Sequence, residues 1–437
     1  MNNSLLRIAV PVLVLAAAPA RAGGGAPSHY RVGNLTGLGG MSSAGNSIND
    51  RGWIAGVSNL AGDTIQHAAL WRGGALVDLG TLGGDNSAVL WPVKNVRGRI
   101  AGVAETGDVQ PLGERWSCAA FFPTATQHVC RGFVWERGAL QALPTFGGDN
   151  GFATGANNLG QVVGWAEKNI ADSTCVAPQV LQFRAALWDA RGGEPRELAP
   201  LPGDTASSAT AINDLGQVVG ISGSCDRAVG RFSARRAVLW DHGQAIDLGS
   251  LGGVAWVTPM ALNEQGVVVG FSNTSATDGG SFRAHAFVWT RHGGMQDLGT
   301  LPGDALSEAL GINEWGQIVG ISCTAGFASC RAFLWQRGVM TDLATLVDGD
   351  YADHLVTAND IDDLGVITGQ AVLHDSGAAV TFVAVPSLGG STSQSGNTSS
   401  VGFETGAAAR SSSRVALPTS TRAAIRAHSG IVAEDDE

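Results

Sequence analysis

His285 to Ser322 reads HAFVWTRHGGMQDLGTLPGDALSEALGINEWGQIVGIS. Four short runs stand out in it: AFVW, MQDLGTL, SEALGIN and GQIVGIS. Each is apolar or alternating and each is bounded by Gly, Asn, Pro or Asp, which is how consecutive strands and tight turns read. Nothing in the stretch has helical spacing.

Outward from this stretch the same pattern recurs in order. The aromatic strand ends at Trp71, Trp135, Trp188, Trp240, Trp289 and Trp335, with a Trp-less copy at Thr381 to Val385. The DLG-type run appears near Asn34, Asp78, Ala142, Leu198, Asp247, Asp297 and Asp342. The tight turn recurs from Asn49–Gly52 to Asp362–Gly365, and in Asn313-Glu314-Trp315-Gly316 it has Asn to bond the following backbone and Gly for a positive φ.

The phase of the repeat decides the topology. The first DLG-type run, Tyr30 to Leu38, has no AFVW-type strand before it, and the last AFVW-type strand, Ala379 to Val385, has no DLG-type strand after it. The sequence therefore predicts an all-β fold over residues 30–385. It is a seven-bladed β-propeller of four-stranded antiparallel blades, its ring closed by three C-terminal strands plus one N-terminal strand. A second Gly inside each GQIVG-type strand (Gly56, Gly102, Gly164, Gly220, Gly270, Gly320, Gly369) leaves space that the Trp is expected to fill across the hairpin.

The ends differ from the repeats. Residues 1–22 have a short polar start with Arg7, an apolar run from Ile8 to Ala18 and small residues up to Ala22, the pattern of a signal peptide, followed by a leader over 23–29. Residues 386–437 shift to Gly, Ser, Thr and Ala and end in Glu434-Asp435-Asp436-Glu437, which predicts a disordered tail. The expected location is periplasmic or extracellular, as a monomer.

Net charge is −11, only 15% of residues are charged, and no Lys and Arg stripe exists, which argues against nucleic acid and anionic membranes as partners. The six cysteines suit an oxidising compartment. Cys118 with Cys130 and Cys323 with Cys330 each flank one loop, and Cys175 and Cys225 occupy corresponding loops of successive repeats; these are the expected disulfides. No CxxC pairs or grouped His suggest a metal centre.

With His285-Ala286-Phe287, Trp289, Asp297-Leu298-Gly299, Ile312-Asn313 and Gly316-Gln317-Ile318-Val319-Gly320, the repeat resembles the HAF family of bacterial extracellular repeats over roughly residues 30–385. His67-Ala68-Ala69, Arg184-Ala185-Ala186, Arg236-Ala237-Val238 and Arg331-Ala332-Phe333 depart from the tripeptide. The resemblance implies an exported repeat protein and brings no catalytic residues.

No nucleophile elbow, HExxH, phosphate loop or dinucleotide fingerprint stands out. Three readings of function follow. In the first, an exported scaffold binds a glycan, peptide or protein partner on the face that carries the long loops Glu105–Arg131 and Glu167–Arg184, where Trp116, Phe121 and Phe122 are candidate contacts. Those aromatics read equally well as a cluster under the Cys118–Cys130 staple. In the second, Asp85, Asp149, Asp204 and Asp304, at equivalent loop positions and expected to ring the axial opening, hydrolyse polysaccharide or hold calcium. The competing role for those Asp residues is turn formation. In the third, the chain is a structural envelope component.

Overall fold

The computed structural model describes residues 29–114, 120–124, 126–189, 193–228, 230–278, 280–387, 414–429 and 431. The expected signal peptide and all but the last residue of the leader lie outside them.

Each run of the repeat is a strand, and chain order is strand order within each sheet. Five four-stranded antiparallel sheets take residues 83–142, 147–198, 206–247, 257–299 and 306–342. A mixed eight-stranded sheet holds two ladders. One is formed by Gly39–Ile48, Ile54–Leu60, Gln66–Arg72 and Ala75–Asp78, the other by His354–Ile361, Ile367–Val372, Ala379–Ser387 and the N-terminal His29–Asn34. The ladders meet at one parallel pair, Ser42 with Ala379. The N-terminal strand runs antiparallel to the last, Tyr30 opposite Pro386 and Asn34 opposite Phe382, so three C-terminal strands and one N-terminal strand share a ladder as expected.

Successive sheets bury apolar side chains against each other. Phe287 and Trp289 pack with Val219 and Leu239 of the sheet before, and Ile48, Ile54 and Trp71 of the first ladder pack with Val366 and Val383 of the last. First strands also bond sideways: Asn46 Nδ2 donates to the Val89 carbonyl (2.8 Å), Thr154 Oγ1 to Ala209 (2.9 Å), and Asn359 Nδ2 to Gly45 (3.0 Å). The first strands thus line a common axis in a propeller-like arrangement.

The turn between first and second strands explains its own sequence. Asn313 Oδ1 accepts the Trp315 and Gln317 amides (3.1 and 3.0 Å), and Gly316 takes φ 73°. The Asn Nδ2 reaches the next sheet: Asn157 to Asn213 O, Asn213 to Asn263 O, Asn263 to Asn313 O, Asn313 to Asp362 O, at 3.0–3.3 Å. One residue on, the Asp214 amide donates to Glu264, Glu264 to Glu314, Glu314 to Asp363 and Asp363 to Asp50. The turn signal is also the collar that ties the sheets around the axis.

The glycine in the second strand has a different cause from the one expected. A Cβ on Gly56, Gly164 or Gly320 would sit 1.9 Å from the carbonyl oxygen of Ala44, Phe152 or Glu308 in the first strand, which bulges there. The Trp lies elsewhere: Trp71 is opposite Ile54, and Gly56 is opposite Ala69. Trp71, Trp188 and Trp240 send Nε1 to the carbonyls of Thr36, Pro144 and Ala199 (2.8, 2.9 and 2.7 Å), each just beyond the fourth strand of the preceding ladder. They peg one ladder to the one before it.

The first letter of the tripeptide also finds a partner. His67 Nδ1 lies 2.8 Å from Asp78 and His285 Nδ1 2.9 Å from Asp297, across the third and fourth strands. Where Arg replaces His, Arg184 pairs with Glu197 (2.9 Å) and Arg331 with Asp342 (3.1 Å). The His and Arg variants therefore conserve one cross-strand ion-pair position.

The tail departs from the expectation of disorder from residue 386 onward. The last strand runs to Ser387, residues 388–413 lie outside the described set, and Thr419–His428 is an α-helix. Leu417, Ile425 and Ile431 are buried in the apolar cluster that also holds Ala44, Ala88, Phe152, Ala206, Met260, Leu306 and Val356, residues of the first strands and their approaches. Low overall apolar content concealed three well-placed side chains.

Candidate functional site

The loops between second and third strands and those between successive ladders emerge on one face. The four equivalent aspartates lie there, but they do not gather. Asp204 accepts from Ser222 Oγ (2.6 Å) and pairs with Arg236 (2.6 Å); Asp304 accepts from Ser322 Oγ (2.9 Å) and pairs with Arg331 (2.7 Å). Both carboxylates are buried, tied to the second and third strands of the sheet their loop enters. Asp85 is exposed near His67, and Asp149 is half-buried. Asp204 and Asp304 are thus engaged within their own sheets, as turn-stabilising residues would be. Among the described residues, no three His, Cys, Asp or Glu side chains group to hold a metal ion.

Two of the candidate aromatics of the long loop are core. Phe121 and Phe122 are buried, and Phe121 meets Trp91 and Phe152 edge-on at 5.8 and 5.5 Å. Trp165 stacks on Phe152 at 4.5 Å. Trp116 and Cys118 lie outside the described residues; Cys130 is disulfide-bonded. Cys175–Cys225 and Cys323–Cys330 are disulfides, as expected.

The residues that organise this face are three glutamates that belong to no recognised motif. Ser58, Ser222, Ser272 and Ser322 occupy one position of the second strand, where the hydroxyl accepts the amide of the incoming loop's Leu38, Leu201, Leu251 or Leu301 (2.8–3.0 Å). In the two sheets with the longest loops that position is Ala104 or Ala166, and the next residue of the strand is Glu105 or Glu167, both fully buried. Glu105 accepts from the Asn86 amide and Nδ2 (2.9 and 3.0 Å), and Glu167 from the Asn150 amide and Nδ2 (2.7 and 3.2 Å). Asn86 and Asn150 in turn accept the Gln66 and Cys130 amides at the start of the preceding third strand. The signal was in the sequence: the loops read GGDN where the strand carries Glu.

Glu114 joins the two long loops. It stands in one loop, and its Oε1 accepts the Val180 and Leu181 amides of the other (2.8 and 2.7 Å), while Gln110 Nε2 bonds its Oε2. The Glu167 carboxylate is within hydrogen-bond reach of it. Burial first, and then the Glu167 charge, push the Glu114 carboxyl up to about 7. A carboxyl pair of this kind suits proton transfer, but both members are buried beneath the loops they fasten. Its position makes it a clasp.

The opposite face carries the tight turns. Leu159, Leu215, Trp315 and Leu364, equivalent residues of four turns, are exposed there. No helix among the described residues is long and apolar enough to cross a membrane.

No family model matches the chain, and no curated protein matches it. Solved structures to which it is similar include an acylaminoacyl peptidase of Pyrococcus horikoshii (12% identity, TM-score 0.47, 78% of this chain and 52% of that one). Others are an oligogalacturonate lyase in complex with manganese (10%, 0.44, 83% and 97%) and a Trypanosoma rangeli sialidase in complex with the inhibitor DANA (9%, 0.35, 82% and 55%). The chain spans about half the length of the peptidase it resembles. At these scores the likenesses do not bear on activity.

Proposed function

We propose that the chain is a seven-bladed propeller of the HAF type that is exported and acts as a non-enzymatic binding scaffold. The support for seven blades is that the eight-stranded sheet divides at the single Ser42–Ala379 pair into two four-stranded ladders, which join the five separate sheets. Disulfides Cys175–Cys225 and Cys323–Cys330 favour an oxidising compartment.

The observation that carries the binding reading is the construction of the long-loop face. Its loops differ in length and sequence from blade to blade, yet they are held by disulfides and by buried Glu105, Glu114 and Glu167. Such diversity on a rigid frame presents a surface for a glycan, peptide or protein. Polysaccharide hydrolysis is the weaker reading, since Asp204 and Asp304 are occupied by Arg236 and Arg331.

The test is a binding screen of the oxidised protein against glycan and peptide arrays and calcium, repeated after reduction. A saturable signal lost on reduction supports the reading. Turnover of a glycan would replace it with the hydrolase, and silence with a structural role.

A further inference from the structure

The mouth of the ring on the long-loop face is filled by the chain itself. Thr421, Ile425 and Ser429, spaced at i, i+4 and i+8, form the buried stripe of the C-terminal helix and its cap, while Ala423 and Ala424 are exposed. Ser429 Oγ donates to Glu308 Oε1 at 2.7 Å. Glu308 lies on a first strand, and among the described residues no cation is paired with it. The Leu417 amide donates to the Ala328 carbonyl (3.1 Å), and Arg414 reaches the Gly303 carbonyl and Asp304.

Three features separate this segment from the ring it occupies. The ladders are complete at Ser387, before the segment begins, and residues 388–413 intervene. No strand pairing joins the segment to any sheet. The polar anchors just named all go to the 306–342 sheet or the loops beside it, although the cluster beneath spans the whole mouth. Glu308 is buried where the segment sits, and the Ser429 hydroxyl is its hydrogen-bond partner. A buried carboxyl is costly without a hydrogen-bond partner, and here the segment's hydroxyl supplies one.

We propose that the mouth of the ring is a receptor site for a short amphipathic helical peptide in which a hydroxyl residue lies one turn beyond an isoleucine, and that residues 414–431 of the same chain fill it as a displaceable plug. Glu308 reads the hydroxyl and Leu306, Phe327 and Val356 contribute to the apolar cluster that takes the isoleucine. External ligands of this face then compete with the plug. The inference rests on the reading of this face as the binding face, but its test uses no external ligand, so the two fail separately.

The experiment uses the full chain with a protease site placed among residues 388–413, compared before and after cleavage. A fluorescent peptide of residues 414–437 is expected to exchange into the cleaved protein saturably, and at least tenfold less into the intact chain, where the tethered plug outcompetes it. The same peptide with Ile425→Asp is expected not to exchange, and circular dichroism of the cleaved protein is expected to keep its β signal. Absence of exchange, equal uptake by intact protein, equal uptake of the Ile425→Asp peptide, or unfolding when the segment leaves would each overturn the proposal. The last would make the segment an integral part of the core.

Discussion

Lys94 Nζ lies 2.8 Å from Asp360 Oδ1, joining two sheets that are not neighbours in the ring of contacts. The same ammonium donates to the carbonyls of Ile312 (2.9 Å) and Ile361 (2.6 Å), so one side chain spans the axis and satisfies three acceptors. Asp360 is fully buried and also accepts the Ile48 amide at 2.8 Å. Burial pushes its carboxyl up, and Lys94 pulls it back.

Removing the cation therefore leaves a buried acid without its partner. Lys94→Met is expected to cost about 3–5 kcal/mol in denaturant unfolding, and pairing it with Asp360→Asn to regain part of that. A loss below about 0.5 kcal/mol for Lys94→Met would show that the axis is wet enough to solvate Asp360.

The Trp pegs give a second expectation. Trp240 is buried and donates Nε1 to the Ala199 carbonyl at 2.7 Å. Trp240→Phe is expected to cost about 1 kcal/mol for the hydrogen bond, and Trp240→Ala about 3–5 kcal/mol for the cavity. Gly220→Ala, whose new Cβ would stand 2.0 Å from the Ser208 carbonyl, is expected to cost more than Trp240→Phe. The reverse order, in thermal or urea unfolding, would restore the view that the Trp covers the glycine.

The parts of this fold that were legible are those written in short-range pattern. Strand order, the Asn–Gly turns and the closure by His29–Asn34 follow from periodicity and from the unmatched halves at the two ends. What the pattern could not convey is which atom fills a gap. Gly320 looks the same in sequence whether a Trp ring or the Glu308 carbonyl approaches it, because backbone approach leaves no residue signature. Asp204 and Asp304 likewise resemble a site until Arg236 and Arg331, distant in sequence, arrive beside them. Glu105 and Glu167 were readable through the GGDN loops, but only by comparing repeats at two positions together.

The two disulfides differ in the length of chain they close. Cys175 and Cys225 are 50 residues apart, Cys323 and Cys330 only 7. On loop-closure entropy the first contributes about 4 kcal/mol and the second about 2 kcal/mol, so the Ser pair at 175 and 225 is expected to lower the unfolding midpoint further. Equal effects would mean that the unfolded chain is already restrained across that span.

Acidity supplies the last expectation. Glu308 and Asp362 are pushed up to about 7 by burial, and Glu114 to about 7 by burial and then the Glu167 charge. A carboxyl raised on folding holds its proton in the native state at pH values where the unfolded chain has released it. Stability should therefore fall as pH rises from the ordinary carboxyl range near 4.5 toward 7, and flatten above it. For Glu308, which is fully enclosed, the change is ~3 kcal/mol at most, and buried Glu114 and Asp362 change stability in the same direction. Glu308→Gln keeps an acceptor for the Ser429 hydroxyl and removes the titration. The urea midpoint of that variant should decline less between pH 5 and 7 than that of the parent protein. An unchanged decline would mean that Glu308 is solvated at neutral pH, with the helix cap no longer seated over it.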